Sequence, residues 1–142
     1  MKNAPRQKGS VSVLITQERP APAPRGPQHV MLKLQVYNTS PHFGKGIVSL
    51  MLLVRQGCSL RAACAQMGLS YSKAWRLLKS AEADLGLTLL DTQKGGTQRV
   101  GSKLTPEGEE LLDRYLAFEK EAREAVFSVF EKYFKDEDAF QK

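Results

Sequence analysis

Two short stretches with apolar stripes, separated by Gly68 and Leu69, set the strictest limit on what this chain can become. The first, SLRAACAQM, places Leu60, Ala63, Cys64 and Met67 on one side at helical spacing, and Gly68 stops it. The second opens at Ser70 to Ser72 and extends to about Leu85, where Gly86 stops it. Ser59 is the expected cap of the first helix, and Ser70 or Ser72 of the second, because a hydroxyl there accepts from the backbone N–H groups left open in the first turn. Two helices joined so tightly must cross closely, which demands small residues at the contact and a glycine in the turn. Ala63 and Cys64, then Gly68, then Ala74 meet those demands, and Met67, Leu69, Leu77 and Leu78 fill the space around them. The expectation is a helix-turn-helix over residues 59–86.

The flanks extend this unit. Val30 to Tyr37 alternates, with Val30, Leu32, Leu34 and Val36 on one face and Met31, Lys33, Gln35 and Tyr37 on the other, which predicts a half-buried strand. A turn over Asn38 to Phe43 leads to a first helix from about Gly46 to Arg55, with Ile47, Leu50, Met51 and Val54 inward and Gly57 as its end. After Gly86, Leu87 to Thr92 and Val100 to Leu104 read as the two strands of a hairpin over 87–104, turned at Gly95-Gly96. Thr105-Pro106-Glu107 then opens a long helix over 105–134, threonine as cap and proline in the first turn, where its missing N–H does no harm. The fold class is mainly α with a small β-hairpin: a winged helix-turn-helix followed by a long C-terminal dimerisation helix. The domain spans 28–142. Residues 1–27 hold five of the seven prolines and read as a disordered basic tail, with a short strand over Ser10 to Thr16 the one exception.

The stretch SLRAACAQMGLSYSKAWRLL, a glycine-bearing wing and LTPEGEELL together resemble the N-terminal DNA-binding domain of ModE-type molybdate-responsive regulators, themselves akin to the head of LysR-type regulators. The resemblance runs from about Leu32 to Phe134 and includes FGKG at Phe43 to Gly46. Its most specific pieces are Ser70, Tyr71, Ala74 and Trp75, and the LTPEG residues Leu104 to Gly108. It implies a winged helix-turn-helix that binds double-stranded DNA. Family members continue into a molybdate-binding region, and since this chain ends at Lys142, no molybdate site is expected within it. The wing, KGGTQRVGSK, departs from the family's more glycine-rich form and carries Arg99 in its middle.

Charge distribution agrees with a polyanionic partner. The net charge is +6, yet residues 28–104 carry ten basic and three acidic side chains, whereas 105–142 carry six and eleven. On the second helix of the motif, Ser70, Tyr71, Ser72 and Lys73 occupy the turn that approaches base edges. Arg76 suits a bidentate contact to guanine, and Lys73 and Lys79 suit phosphates. Lys94, Arg99 and Lys103 surround the wing, where arginine gains from a narrow minor groove. Tyr71 and Trp75 share a face and either stack on the sugar-phosphate or pack beneath the wing. On the last helix, Leu111, Tyr115, Phe118, Ala122, Val126, Val129 and Tyr133 form a stripe, widened by Leu112, Leu116, Phe127, Phe130 and Phe134, that exceeds what one small core covers. A homodimer exchanging this helix is expected.

The expected function is sequence-specific DNA binding by a transcription regulator in the cytoplasm, with no membrane partner. The alternative is a winged-helix module that holds a protein partner by its acidic helix. No carboxylate pair, nucleophile–base constellation or phosphate loop stands at a workable spacing, so neither an enzyme nor a cofactor is expected. Cys58 and Cys64 read as small packed residues, with a thiol switch the rival reading, and His29 and His42 have no ligand-rich neighbours.

Overall fold

The computed structural model describes residues 20–91, 102–135 and 140. Among the described residues, four helices and a two-stranded antiparallel sheet form the fold: α1 (Lys45–Arg55), α2 (Leu60–Met67), α3 (Tyr71–Leu85), β1 (Leu90–Asp91), β2 (Lys103–Leu104) and α4 (Pro106–Phe134). Phe43, Ile47, Leu50, Met51 and Val54 from α1 and its approach meet Leu60, Ala63 and Cys64 of α2, Ala74 and Leu78 of α3, Leu89, Leu90, and Leu112 and Tyr115 of α4 in one core. Burial pushes the Cys64 thiol up, as expected of a packed residue, while Cys58 is half-buried and accepts from Gln66 Nε2 at 3.4 Å.

The helix ends follow from local chemistry. The Ser59 hydroxyl accepts from Ala62 N at 3.0 Å, the Ser70 hydroxyl from Lys73 N at 3.2 Å, and the Thr105 hydroxyl from Gly108 N at 2.9 Å. Of the two serines before α3, Ser70 is therefore the cap. Gly68 and Gly86 both end their helices in the left-handed region, at φ +70°, where a Cβ is costly. Pro106 stands at the start of α4, and Glu107 and Glu109 lie in its first turn, where acidic groups suit the helix dipole. Arg55, in the last turn of α1, reaches Glu109 at 3.1 Å and Asp113 at 2.7 Å, and these contacts raise its pKa.

The strand expected over Val30 to Tyr37 needs correction. Its alternation of half-buried and exposed residues is present, but the only pairing among the described residues is a bridge between Val36 and Phe43, with Val36 N donating to Phe43 O at 3.0 Å. The segment is extended because its even side chains lie on the core, and among the described residues no neighbouring strand makes a ladder with it. Of the expected hairpin, the described residues pair Leu90 opposite Leu104 and Asp91 opposite Lys103, while Leu87 to Leu89 are not in a strand. Its tip, with Gly95, Gly96, Lys94 and Arg99, lies outside the described residues, as does the short strand proposed at Ser10 to Thr16. Residues 20–27 are exposed and form neither helix nor strand.

Asp84, in the last turn of α3, fastens the turn that enters α1. Its carboxylate accepts from Asn38 N at 2.7 Å, Thr39 N at 2.8 Å and Ser40 N at 3.0 Å, and its carbonyl accepts from Asn38 Nδ2 at 2.9 Å. These N–H donors, Asn38 foremost, hold the carboxyl below the usual aspartate range. A depressed folded pKa stabilises the fold above the ordinary value of about 4 and loses that contribution as pH falls toward the folded value. Asp84→Asn is therefore expected to lower the urea midpoint at neutral pH. The gap to the unmodified protein should narrow as pH falls below about 4, and a gap constant with pH would rule out this account.

Candidate nucleic-acid interface

The crossing of α2 and α3 is built as the small residues require. Ala63, Cys64 and Ala74 are buried at the contact, Leu69 and Met67 are half-buried beside the turn, and Leu69 N donates to Cys64 O at 3.0 Å. With Ala74, Leu78 and Ala81 turned inward, the opposite face of α3 is open. Ser72, Lys73 and Arg76 all lie exposed on that open side, one helical turn deep. Neither Lys73 nor Arg76 makes an ion pair among the described residues.

The other candidate residues divide. Ser70 is exposed, but its hydroxyl is engaged in the cap. Tyr71 and Trp75 are half-buried and stacked on each other, ring centroids 6.2 Å apart and planes 19° from parallel, so both rings pack along the border of the open face. The guanidinium of Arg61, from α2, lies 4.3 Å over the Tyr71 ring, and the ammonium of Lys79 lies 4.6 Å over Trp75. Lys79 also pairs with Glu82 at 3.1 Å, and so differs from Lys73 and Arg76 in being held. Lys103 is exposed on β2, while Lys94 and Arg99 fall outside the described residues.

Two residues that the sequence reading passed over fix the wing to this surface. Glu82 Oε2 accepts from Leu89 N at 2.7 Å and Leu90 N at 3.2 Å, and Glu107 Oε1 accepts from Thr88 N at 3.0 Å. Thr105 completes the root, its N–H donating to Leu89 O at 2.9 Å and its hydroxyl to Thr88 O. The i, i+3 spacing of Lys79 and Glu82 was visible as a helical pair, but nothing local in the sequence showed that the carboxylate also caps β1.

The long helix is used differently along its length. Leu112 and Tyr115 are buried, and Leu111 and Leu116 pack partly on the same core. Tyr115 is a correction to the dimer stripe: its ring meets Phe43 edge-on at 5.5 Å, its hydroxyl donates to Leu34 O at 3.1 Å, and burial raises its pKa. It is taken up within the protomer because the 30–36 segment covers it. Farther along, Ala122 and Val126 are half-buried, whereas Phe118, Phe127, Val129 and Tyr133 are exposed, Tyr133 by 63%. Ion pairs Arg114–Glu110, Lys120–Glu124 and Arg123–Glu119 run along the remaining surface.

A capped short helix, a left-handed glycine, a second helix with an open basic face and a strand pair clamped at its far end define a helix-turn-helix domain with the root of a wing. Residues 47–109 match the family described as bacterial regulatory helix-turn-helix protein, lysR family. It is also similar to the Molybdenum-pterin-binding protein MopB of Rhodobacter capsulatus, with 32% identity over 94 residues, which cover 66% of this chain and 34% of that protein. The chain thus corresponds to about a third of the length of that curated relative. Among solved structures, the one described as a CbnR_DBD-DNA complex aligns with 59% of this chain and 94% of its own, at 22% identity and a TM-score of 0.45. Among the described residues no group of three or more His, Cys, Asp or Glu is placed to hold a metal, and no helix is long and apolar enough to cross a membrane.

Proposed function

We propose that the chain binds double-stranded DNA site-specifically as a homodimeric transcription regulator, with α3 in the major groove and the wing on the flanking groove. The observation that carries this reading is the open face of α3, where Lys73 and Arg76 project beside Ser72 without ion-pair partners among the described residues, on a helix set at a fixed angle by the left-handed Gly68. A duplex major groove admits one α-helix, and a guanidinium there meets guanine O6 and N7 in a fork. Lys73 takes a phosphate, and Lys103, with Lys94 and Arg99 of the wing, follows the backbone beside it. Tyr71 lies at the edge of the same surface. The LysR-type match supports the same role. Molybdenum-pterin binding, in the relative's name, is not carried over, because the match covers only a third of that protein.

The dimer is read from the far half of α4. Phe118, Val129 and Tyr133, with the half-buried Ala122 and Val126 and Leu111 nearer the core, leave an apolar strip facing solvent, with Phe127 beside it. A two-fold partner covers that strip and places two copies of α3 about 34–36 Å apart, one turn of DNA. Phe127→Glu with Tyr133→Glu is expected to weaken self-association at least about tenfold in sedimentation experiments. Because both sites are exposed, thermal stability should move by less than about 1 kcal/mol. A double variant that still sediments as a dimer would remove α4 from the interface.

The test of the function is a duplex titration across salt. If Lys73 and Lys103 of both protomers hold phosphates, log affinity falls against log salt with a slope of about −3 to −4 or steeper. No binding to any genomic fragment at low salt would refute the reading.

A further inference from the structure

We propose that Glu82 withholds Lys79 from the DNA backbone and thereby lowers the sequence-independent part of binding, an inference that rests on the duplex-binding function argued above. The three basic side chains of α3 are unequal. Lys73 and Arg76 are offered to solvent, whereas the Lys79 ammonium lies between the Glu82 carboxylate at 3.1 Å and the Trp75 ring at 4.6 Å.

An exposed Lys–Glu pair is ordinarily worth little, since two flexible side chains must be ordered to form it. Here half of that ordering is already in place. The Glu82 side chain is only 10% exposed, and its other oxygen is pinned by Leu89 N at 2.7 Å and Leu90 N at 3.2 Å. Its free oxygen therefore faces Lys79 in a fixed direction. On the other side of the ammonium, Trp75 is itself held by its stack on Tyr71, which Arg61 covers at 4.3 Å. The lysine alone has to settle into a site built by others.

The consequence is thermodynamic. A lysine that reaches a phosphate from solvent releases a condensed counterion, and this release is the source of sequence-independent affinity. Lys79 already has its counter-charge. Moving it to a phosphate would leave Glu82 uncompensated, at the base of the wing and close to a polyanion, so the exchange yields little. Lys79 thus stays on Glu82 in the complex, and the carboxylate keeps the wing root anchored to the recognition helix while trimming the attraction to arbitrary DNA.

The experiment measures binding of the full chain to a random-sequence duplex of about 20 base pairs across a salt series, for the unmodified protein, Lys79→Ala, Glu82→Gln and the double variant. Glutamine keeps an oxygen for Leu89 N and Leu90 N but removes the charge. Lys79→Ala alone should leave the salt slope unchanged. Glu82→Gln should steepen it by about one per protomer and raise random-duplex affinity about three- to tenfold at low salt, and the double variant should return to the original slope. A slope that falls by about one per protomer in Lys79→Ala, or stays the same in Glu82→Gln, overturns the inference while leaving duplex binding intact. Failure of the unmodified protein to bind duplex overturns both. Should Glu82→Gln fail to fold, the Lys79→Ala slope alone decides, because Lys79 is exposed and supports no core contact.

Discussion

Arg76→Ala should lower affinity for the preferred site by about 1–3 kcal/mol per half-site, which in a dimer amounts to a loss of roughly thirtyfold or more. The magnitude follows from what the side chain offers. Its guanidinium is planar, always charged and exposed on the face of α3 that also carries Ser72 and Lys73, and it has no carboxylate to turn to among the described residues. A fork of two hydrogen bonds to one guanine discriminates among bases, so the loss should fall on the preferred site far more than on random duplex. Lys73→Ala should behave in the opposite way: weaker binding to every sequence and a salt slope reduced by about one per protomer. Arg76→Lys should not rescue, since an ammonium cannot make the paired contact. Neither change should alter the melting temperature appreciably, because both side chains are exposed. Equal losses for Arg76→Ala on preferred and random duplexes would reassign that residue to the backbone.

The contrast between Arg76 and Lys79 shows where a sequence stops informing. Both stand on the outer part of α3, and periodicity treats them alike; only the arrival of β1, through Leu89 and Leu90, fixes Glu82 and so separates them. Local chemistry was readable, though the cap of α3 was left open between Ser70 and Ser72. Ser59, Ser70 and Thr105 cap the helices because a hydroxyl at those positions has N–H groups within reach whatever the rest of the fold does, and Gly68 ends α2 for equally local reasons. The inward alternation of Val30 to Val36 was readable too, but the number of pairing partners was not, since burial sets the period and neighbours set the ladder. Tyr115 failed for a related reason. On a helix with apolar residues on two adjoining lines, spacing alone cannot say which line the protomer keeps. The answer came from Phe43 and Leu34, distant in sequence.

The wing root carries the largest expected effect on stability. Gly108 lies in the first turns of α4, and replacing a helical glycine by alanine ordinarily stabilises by about 1 kcal/mol. At this position a Cβ would stand 2.3 Å from Leu89 O, 3.1 Å from Leu89 C and 3.2 Å from Leu89 Cα. All three are backbone atoms, so no side chain can swing aside to make room. Leu89 cannot readily retreat either: it is fully buried, its N–H donates to Glu82 and its carbonyl accepts from Thr105 N. The overlap must therefore be relieved by separating α4 from β1, which breaks the Thr105 and Glu82 contacts together. Overpacking of this kind exceeds the helical gain, and Gly108→Ala should destabilise by about 2–3 kcal/mol net. The melting temperature should fall by roughly 6–12 °C for a chain of this size. Because the same contacts hold the wing against α3, duplex affinity measured well below the melting temperature should fall as well. A Gly108→Ala protein that melts at or above the original temperature would show that α4 slides past Leu89 without cost, and that the wing is fixed to the recognition helix by Glu82 alone.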